Sequence, residues 1–90
     1  MLNLTKILIP SEDAFTDEEK LIINLVLEYE FDRNSVIKEI STNFRINTAA
    51  AEGKFLMLQN SILSKVSYTE QITYSNFVII VNEIDKVLGC

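Results

Sequence analysis

Between Ile37 and Leu58 the apolar residues fall at helical spacing twice. Ile37, Ile40 and Phe44 form one stripe, and Ala51, Phe55 and Leu58 form a second after a break at residues 45 to 47. A repeat of 3 and 4 residues places side chains on one face of a helix, so two helices must share one short turn. Ile46 falls inside the turn, where an exposed isoleucine gains nothing, and is expected to fill the angle between the helices. This is the layout of a helix-turn-helix, and it directs attention to binding before chemistry.

The rest of the chain extends that pair into a small helical domain. Ninety residues are too few to divide apolar side chains between two cores. A 48% hydrophobic content with two Gly and one Pro excludes a disordered linker. Thr16 followed by Glu19 has capping-box spacing, and Asp17, Glu18 and Glu19 put negative charge on the positive end of a helix dipole. A first helix is therefore predicted from about residue 17. Its apolar positions Leu21, Ile22, Ile23, Leu25, Val26, Leu27 and Tyr29 form a stripe wide enough for burial on most sides. Glu30 to Asn34 reads as a loop, with Asp32 or Asn34 able to cap the second helix, and Asn47 or Thr48 able to cap the third. The third continues through Ile62 to about residue 64, and Gly53 within it costs about 1 kcal/mol relative to alanine. That cost suggests close approach of something to the helix.

Either end of the chain leaves two readings. Residues 2 to 9, closed by Pro10, fit an N-terminal arm or a short strand over residues 1–14. Ser67 and Glu70 have capping-box spacing, whereas Tyr68, Thr69, Ile72, Thr73 and Tyr74 favour a strand. Phe77, Ile80, Ile84 and Val87 or Leu88 recur at helical intervals, with Gly89 placed as a C-terminal cap, and predict a fourth helix. The alternative is a strand over Phe77 to Val81 pairing with Leu4 to Ile9. The expected fold is all-α, a four-helix domain over residues 15–90.

Charge is segregated along the chain. The formal net charge is −5, but residues 12 to 32 carry eight acids against Lys20 alone. From 33 to 66 the balance reverses, with Arg33, Lys38, Arg45, Lys54 and Lys65 against Glu39 and Glu52. A positive patch over the second and third helices, within an otherwise acidic molecule, is the expectation.

Catalysis is not expected. The chain has no His and a single Cys at position 90, so it lacks nucleophile–base sets, zinc-ligand spacing and a glycine loop for phosphate. No cofactor or metal follows from it. The acidic run from Glu12 to Glu19 lacks the ligand alternation of a calcium loop. Without a membrane-length apolar run or a convincing signal peptide, the reading is a cytoplasmic protein.

Phe15-Thr16-x-x-Glu19-x-x-Ile22-Ile23-x-Leu25-Val26, followed by Glu39-Ile40-Ser41-x-x-Phe44-x-Ile46-Asn47, resembles the LuxR/GerE-type helix-turn-helix DNA-binding domain, and the likeness extends over about residues 15 to 82. The resemblance implies a bacterial transcriptional regulator whose third helix enters the major groove and whose C-terminal helix can serve as a dimer surface. The chain departs from the family at Ala50-Ala51 and Lys54, where Thr-Val and a later His are usual. It departs again at Arg45, where Gly is common before the turn isoleucine.

If the third helix reads DNA, Asn47 and Thr48 at its N-terminus would meet phosphate, and Lys38, Arg45 and Lys54 would supply the neutralising charge. Base reading would fall to Asn47, Ala49 and Glu52, beside Gly53 and Leu56; no arginine lies on that face to grip guanine. A DNA-binding regulator is the leading expectation. The other is an acidic module, of the inhibitor, immunity or anti-defence kind, that binds a basic protein through residues 12 to 32.

Overall fold

The computed structural model of the chain describes residues 7–88. They form four α-helices: α1 Asp17–Glu28, α2 Arg33–Phe44, α3 Thr48–Lys65 and α4 Tyr74–Leu88, preceded by a single 3-10 turn at Glu12–Ala14. α1 packs against each of the other three helices, and α2 lies along α3. The fold class is all-α, and Phe77 to Val81 belongs to α4 instead of a strand. Leu4 to Lys6, Gly89 and Cys90 lie outside the described residues.

Each helix begins where a side chain can satisfy its first free N–H groups. Asp32 accepts from the Ser35 N–H, and Asn47 from the Ala50 N–H at 2.8 Å. Thr73, read from the sequence only as a strand-favouring residue, does the same for α4 by accepting from the Asn76 N–H at 3.2 Å. The spacing between Ser67 and Glu70 does not become a cap. Ser67 sits instead at φ 62°, closing α3 as the Tyr68 N–H reaches back to the Leu63 carbonyl at 2.9 Å. The strand-favouring residues that follow, up to Thr73, form a connection to α4 with no regular structure.

The core runs through the middle of the four helices. Ile22, Ile23 and Val26 of α1 meet Val36 and Ile40 of α2, Ala51, Phe55 and Ile62 of α3, and Phe77, Ile80 and Ile84 of α4 in one cluster. Phe55 lies at its centre, with the Phe77 ring 6.1 Å away edge-on and the Tyr74 ring at 6.3 Å. Burying such rings contributes on the order of 1.5–3 kcal/mol each by transfer alone. Ile46 packs against this cluster from the turn between α2 and α3, as its isolated position suggests. At the other edge, Ile7 and Ile9 pack on the core, and the Leu8 N–H donates to the Val66 carbonyl at 3.2 Å.

One core position is ionic. Glu19 is only 1% exposed. Its Oε1 accepts from the Thr16 N–H at 2.7 Å, while Thr16 Oγ1 accepts from the Glu19 N–H, so the expected capping box forms. The same carboxylate also accepts from Ser61 Oγ at 2.6 Å and pairs with Lys65, both on α3. Burial pushes its pKa up. The hydrogen bonds from Lys65, Ser61 and Thr16 outweigh that effect and hold it at about 2, against an ordinary 4.5. A carboxylate whose pKa is depressed on folding stabilises the fold above its unfolded value and loses that contribution as pH falls through the folded one. Thermal melts should therefore show stability declining between pH ~5 and pH ~2. Glu19→Gln should remove about 2 to 3 kcal/mol at neutral pH and flatten that decline, as measured by urea titration across the pH range.

Candidate binding surface on the second and third helices

α2 and α3 are joined by Arg45, Ile46 and Asn47. Arg45 takes the left-handed conformation, φ 56° and ψ 47°, and the Ile46 N–H returns to the Ser41 carbonyl at 3.1 Å. Ser41 Oγ in turn donates to the Ile46 carbonyl, which locks the turn on both sides. Left-handed backbone suits glycine, and an arginine here accepts roughly 1 kcal/mol of strain.

The residues expected to meet DNA are all on the surface to some degree, but they divide among different faces. Lys38, Thr48, Ala49 and Glu52 come together with Asn34 and Ile37 around a shallow open groove between α2 and α3. Arg45 projects from the turn and Asn47 caps α3, both exposed. Gly53 is exposed on the outer face of α3, and a methyl group placed on it would meet no atom within 4 Å. Nothing among the described residues therefore explains a glycine there. Lys54 is directed elsewhere: its Nζ lies 3.1 Å from Glu18 of α1 and 4.5 Å over the Phe44 ring.

Two positions along a helix are turned about 200° from one another, so Glu52 and Lys54 flank α3 on opposite sides. Each side carries an ion pair. Glu52 holds Arg33 at 3.6 Å, and the Arg33 guanidinium also covers the Phe55 ring at 5.2 Å. Lys65 is committed to Glu19. Of the five cations from 33 to 66, only Lys38 and Arg45 form no ion pair with a described residue. Between the flanks, the outer face of α3 presents Ala49, Ala50, Gly53, Leu56, Met57 and Asn60, with no charged group among them. Met57 is 60% exposed.

Phe31, within the stretch Glu30 to Asn34 that reads as a loop, is 99% exposed in the turn between α1 and α2. Its signal in the sequence is an aromatic residue set between Glu30 and Asp32, where no helical stripe claims it. Among the described residues no group of three or more Asp, Glu or Cys is placed to hold a metal ion. No helix there is long and apolar enough to cross a membrane.

No family model, curated protein or solved structure matches this chain. The likeness to the LuxR/GerE-type domain rests on the residue pattern itself.

Two substitutions test whether these surface residues are retained for the fold. Arg45→Gly should leave stability unchanged or raise it by up to about 1 kcal/mol, since glycine adopts the left-handed turn without strain. Gly53→Ala should raise it by about 1 kcal/mol. Both are read from denaturant midpoints at constant slope.

Proposed function

We propose that the protein acts by binding another protein, offering an acidic surface to a basic partner, with the helix-turn-helix serving as architecture. The observation that carries this reading is the pairing of charge around α3. Arg33 and Lys54 are neutralised by Glu52 and Glu18 on opposite flanks, and the helix face between them is uncharged. A groove-entering helix needs cations free to neutralise phosphates, because that contact supplies most of the affinity. Meanwhile Asp13, Asp17, Glu28 and Glu70 are exposed and form no ion pair with a described residue. Unpaired carboxylates in excess steer encounter with basic surfaces and repel nucleic acid.

A second reading, the DNA-binding regulator, is favoured by one arrangement. Lys38 and Arg45 form no ion pair with a described residue and lie beside the open N-terminal turn of α3, where Asn47 and Thr48 are exposed. A dimer of the kind that reading requires would draw on α4. That helix buries Phe77, Val78, Ile80, Val81 and Ile84 within the domain and leaves Ile79 and Val87 about 40% exposed.

Anisotropy titration of a labelled mixed-sequence duplex at low and at moderate salt separates the two. The protein-binding reading expects no saturable binding at either salt concentration. Binding that weakens steeply with salt, and that disappears in a folded Lys38→Glu, Arg45→Glu double variant, would establish the DNA reading instead.

A further inference from the structure

The protein-binding reading leaves open which part of the acidic surface meets the partner, and the turn between α1 and α2 supplies an anchor. We propose that Phe31 packs against an apolar patch on the partner, and that Lys or Arg side chains rim the patch and meet Glu28, Glu30 and Asp32. The proposal rests on that reading and deepens it.

Three observations converge on this turn. First, the Phe31 ring is 99% exposed, more than any other large apolar side chain among the described residues; Leu8, the next, is 68% exposed. A ring left in water forgoes roughly 1.5–3 kcal/mol of burial, and nothing in the fold requires it to stand there.

Second, the turn that carries it is pinned at both ends. The Tyr29 N–H donates to the Leu25 carbonyl at 3.0 Å, and the Tyr29 carbonyl accepts from the Asp32 N–H at 3.1 Å and from the Tyr74 hydroxyl of α4 at 2.8 Å. Asp32 caps α2 through the Ser35 N–H and hydroxyl, at 3.2 and 2.6 Å. Only Glu30 and Phe31 lie between those fixed points, so the ring is presented on a rigid support. With the backbone fixed, binding costs only the ring's own two torsions and buries a large area, as anchors of protein interfaces do.

Third, the surroundings are predominantly acidic. Glu28, Glu30 and Asp32 flank the ring, and the adjacent Arg33 turns inward to Glu52 and Phe55. The neighbouring phenols register this potential. Glu28 and then Glu39 raise the Tyr29 pKa. Burial, with Asp32 and Glu30, pushes Tyr74 to about 12 against the opposing pull of the Arg33 cation. Carboxylates around an apolar ring disfavour nucleic acid and anionic lipid as the occupant and select an apolar patch with a cationic rim.

The test is a set of amide chemical-shift titrations on the full chain with three synthetic peptides. One is a Leu/Lys amphipathic helix, the second is its Leu/Glu counterpart, and the third is a Ser/Lys peptide with the same number of charges. The Leu/Lys peptide should give saturable shifts centred on residues 28–35, while the Leu/Glu peptide gives none and the Ser/Lys peptide binds more weakly. Phe31→Ser should weaken the Leu/Lys peptide by roughly tenfold or more, with an unchanged melting profile because the ring touches nothing it would release. Phe31→Trp should retain binding.

The anchor is overturned if Phe31→Ser binds the Leu/Lys peptide as tightly as the parent. Equal affinity for the Ser/Lys peptide, shifts centred on Asp13 and Asp17, or no binding of the Leu/Lys peptide would overturn it as well. In each of those cases the wider protein-binding reading still stands or falls on the duplex titration alone.

Discussion

The carboxylate of Glu19 ties a local event to a distant one. Through Thr16 it starts α1, and through Ser61 and Lys65 it joins that helix to the far end of α3. A buried carboxylate is tolerable only when its lone pairs are occupied and its charge is compensated, and both conditions hold here. The consequence is orientation. α1 touches every other helix, so pinning α1 against α3 sets the angle at which α2 and α4 find the remaining core surface. Lys65 also lies 5.7 Å over the Phe15 ring, which brings the residue just before the cap into the same cluster.

Packing around α3 then determines what its surface can offer. Phe55 at the core faces Tyr74 and Phe77 on one side and receives Arg33 on another. Drawing that guanidinium inward removes a cation from the surface. Lys54 lies over Phe44 in the same manner, with Glu18 as its counter-ion. The molecule thus spends much of the positive charge of its central segment on holding helices together, where the aliphatic stems of these side chains also cover apolar surface. What remains outward between the two flanks of α3 is uncharged, and what remains outward elsewhere is largely acidic.

Much of the architecture was legible from periodicity and capping. The helix starts at Asp17 and Thr48, the loop before α2, the stripe through Ala51, Phe55, Leu58 and Ile62, and Ile46 in the turn all follow from spacing and from side chains that can close a helix end. The segment from Ser67 to Thr73 was not legible. Its capping-box spacing and its strand-favouring residues are both local signals, and the left-handed Ser67 that ends α3 overrides them. Of the binding surface, the exposure of Asn47, Thr48, Ala49 and Gly53 could be expected from the helical wheel. The exposure of Phe31 could not, because a single aromatic residue outside any stripe gives no indication of which way it faces.

The sequence by itself determined the helical stripes of the first three helices and the capping residues near which the first and third begin, because those properties depend on residues three and four positions apart; for the fourth it left a strand open. Only the tertiary structure decided where the charge goes. The run from Arg33 to Lys65 is cationic when counted along the chain, yet three of its five cations, Arg33, Lys54 and Lys65, meet Glu52, Glu18 and Glu19 once the helices assemble. The reason is range: an ion pair forms at a separation of a few ångströms, and for Lys54 and Lys65 that separation is reached across dozens of intervening residues.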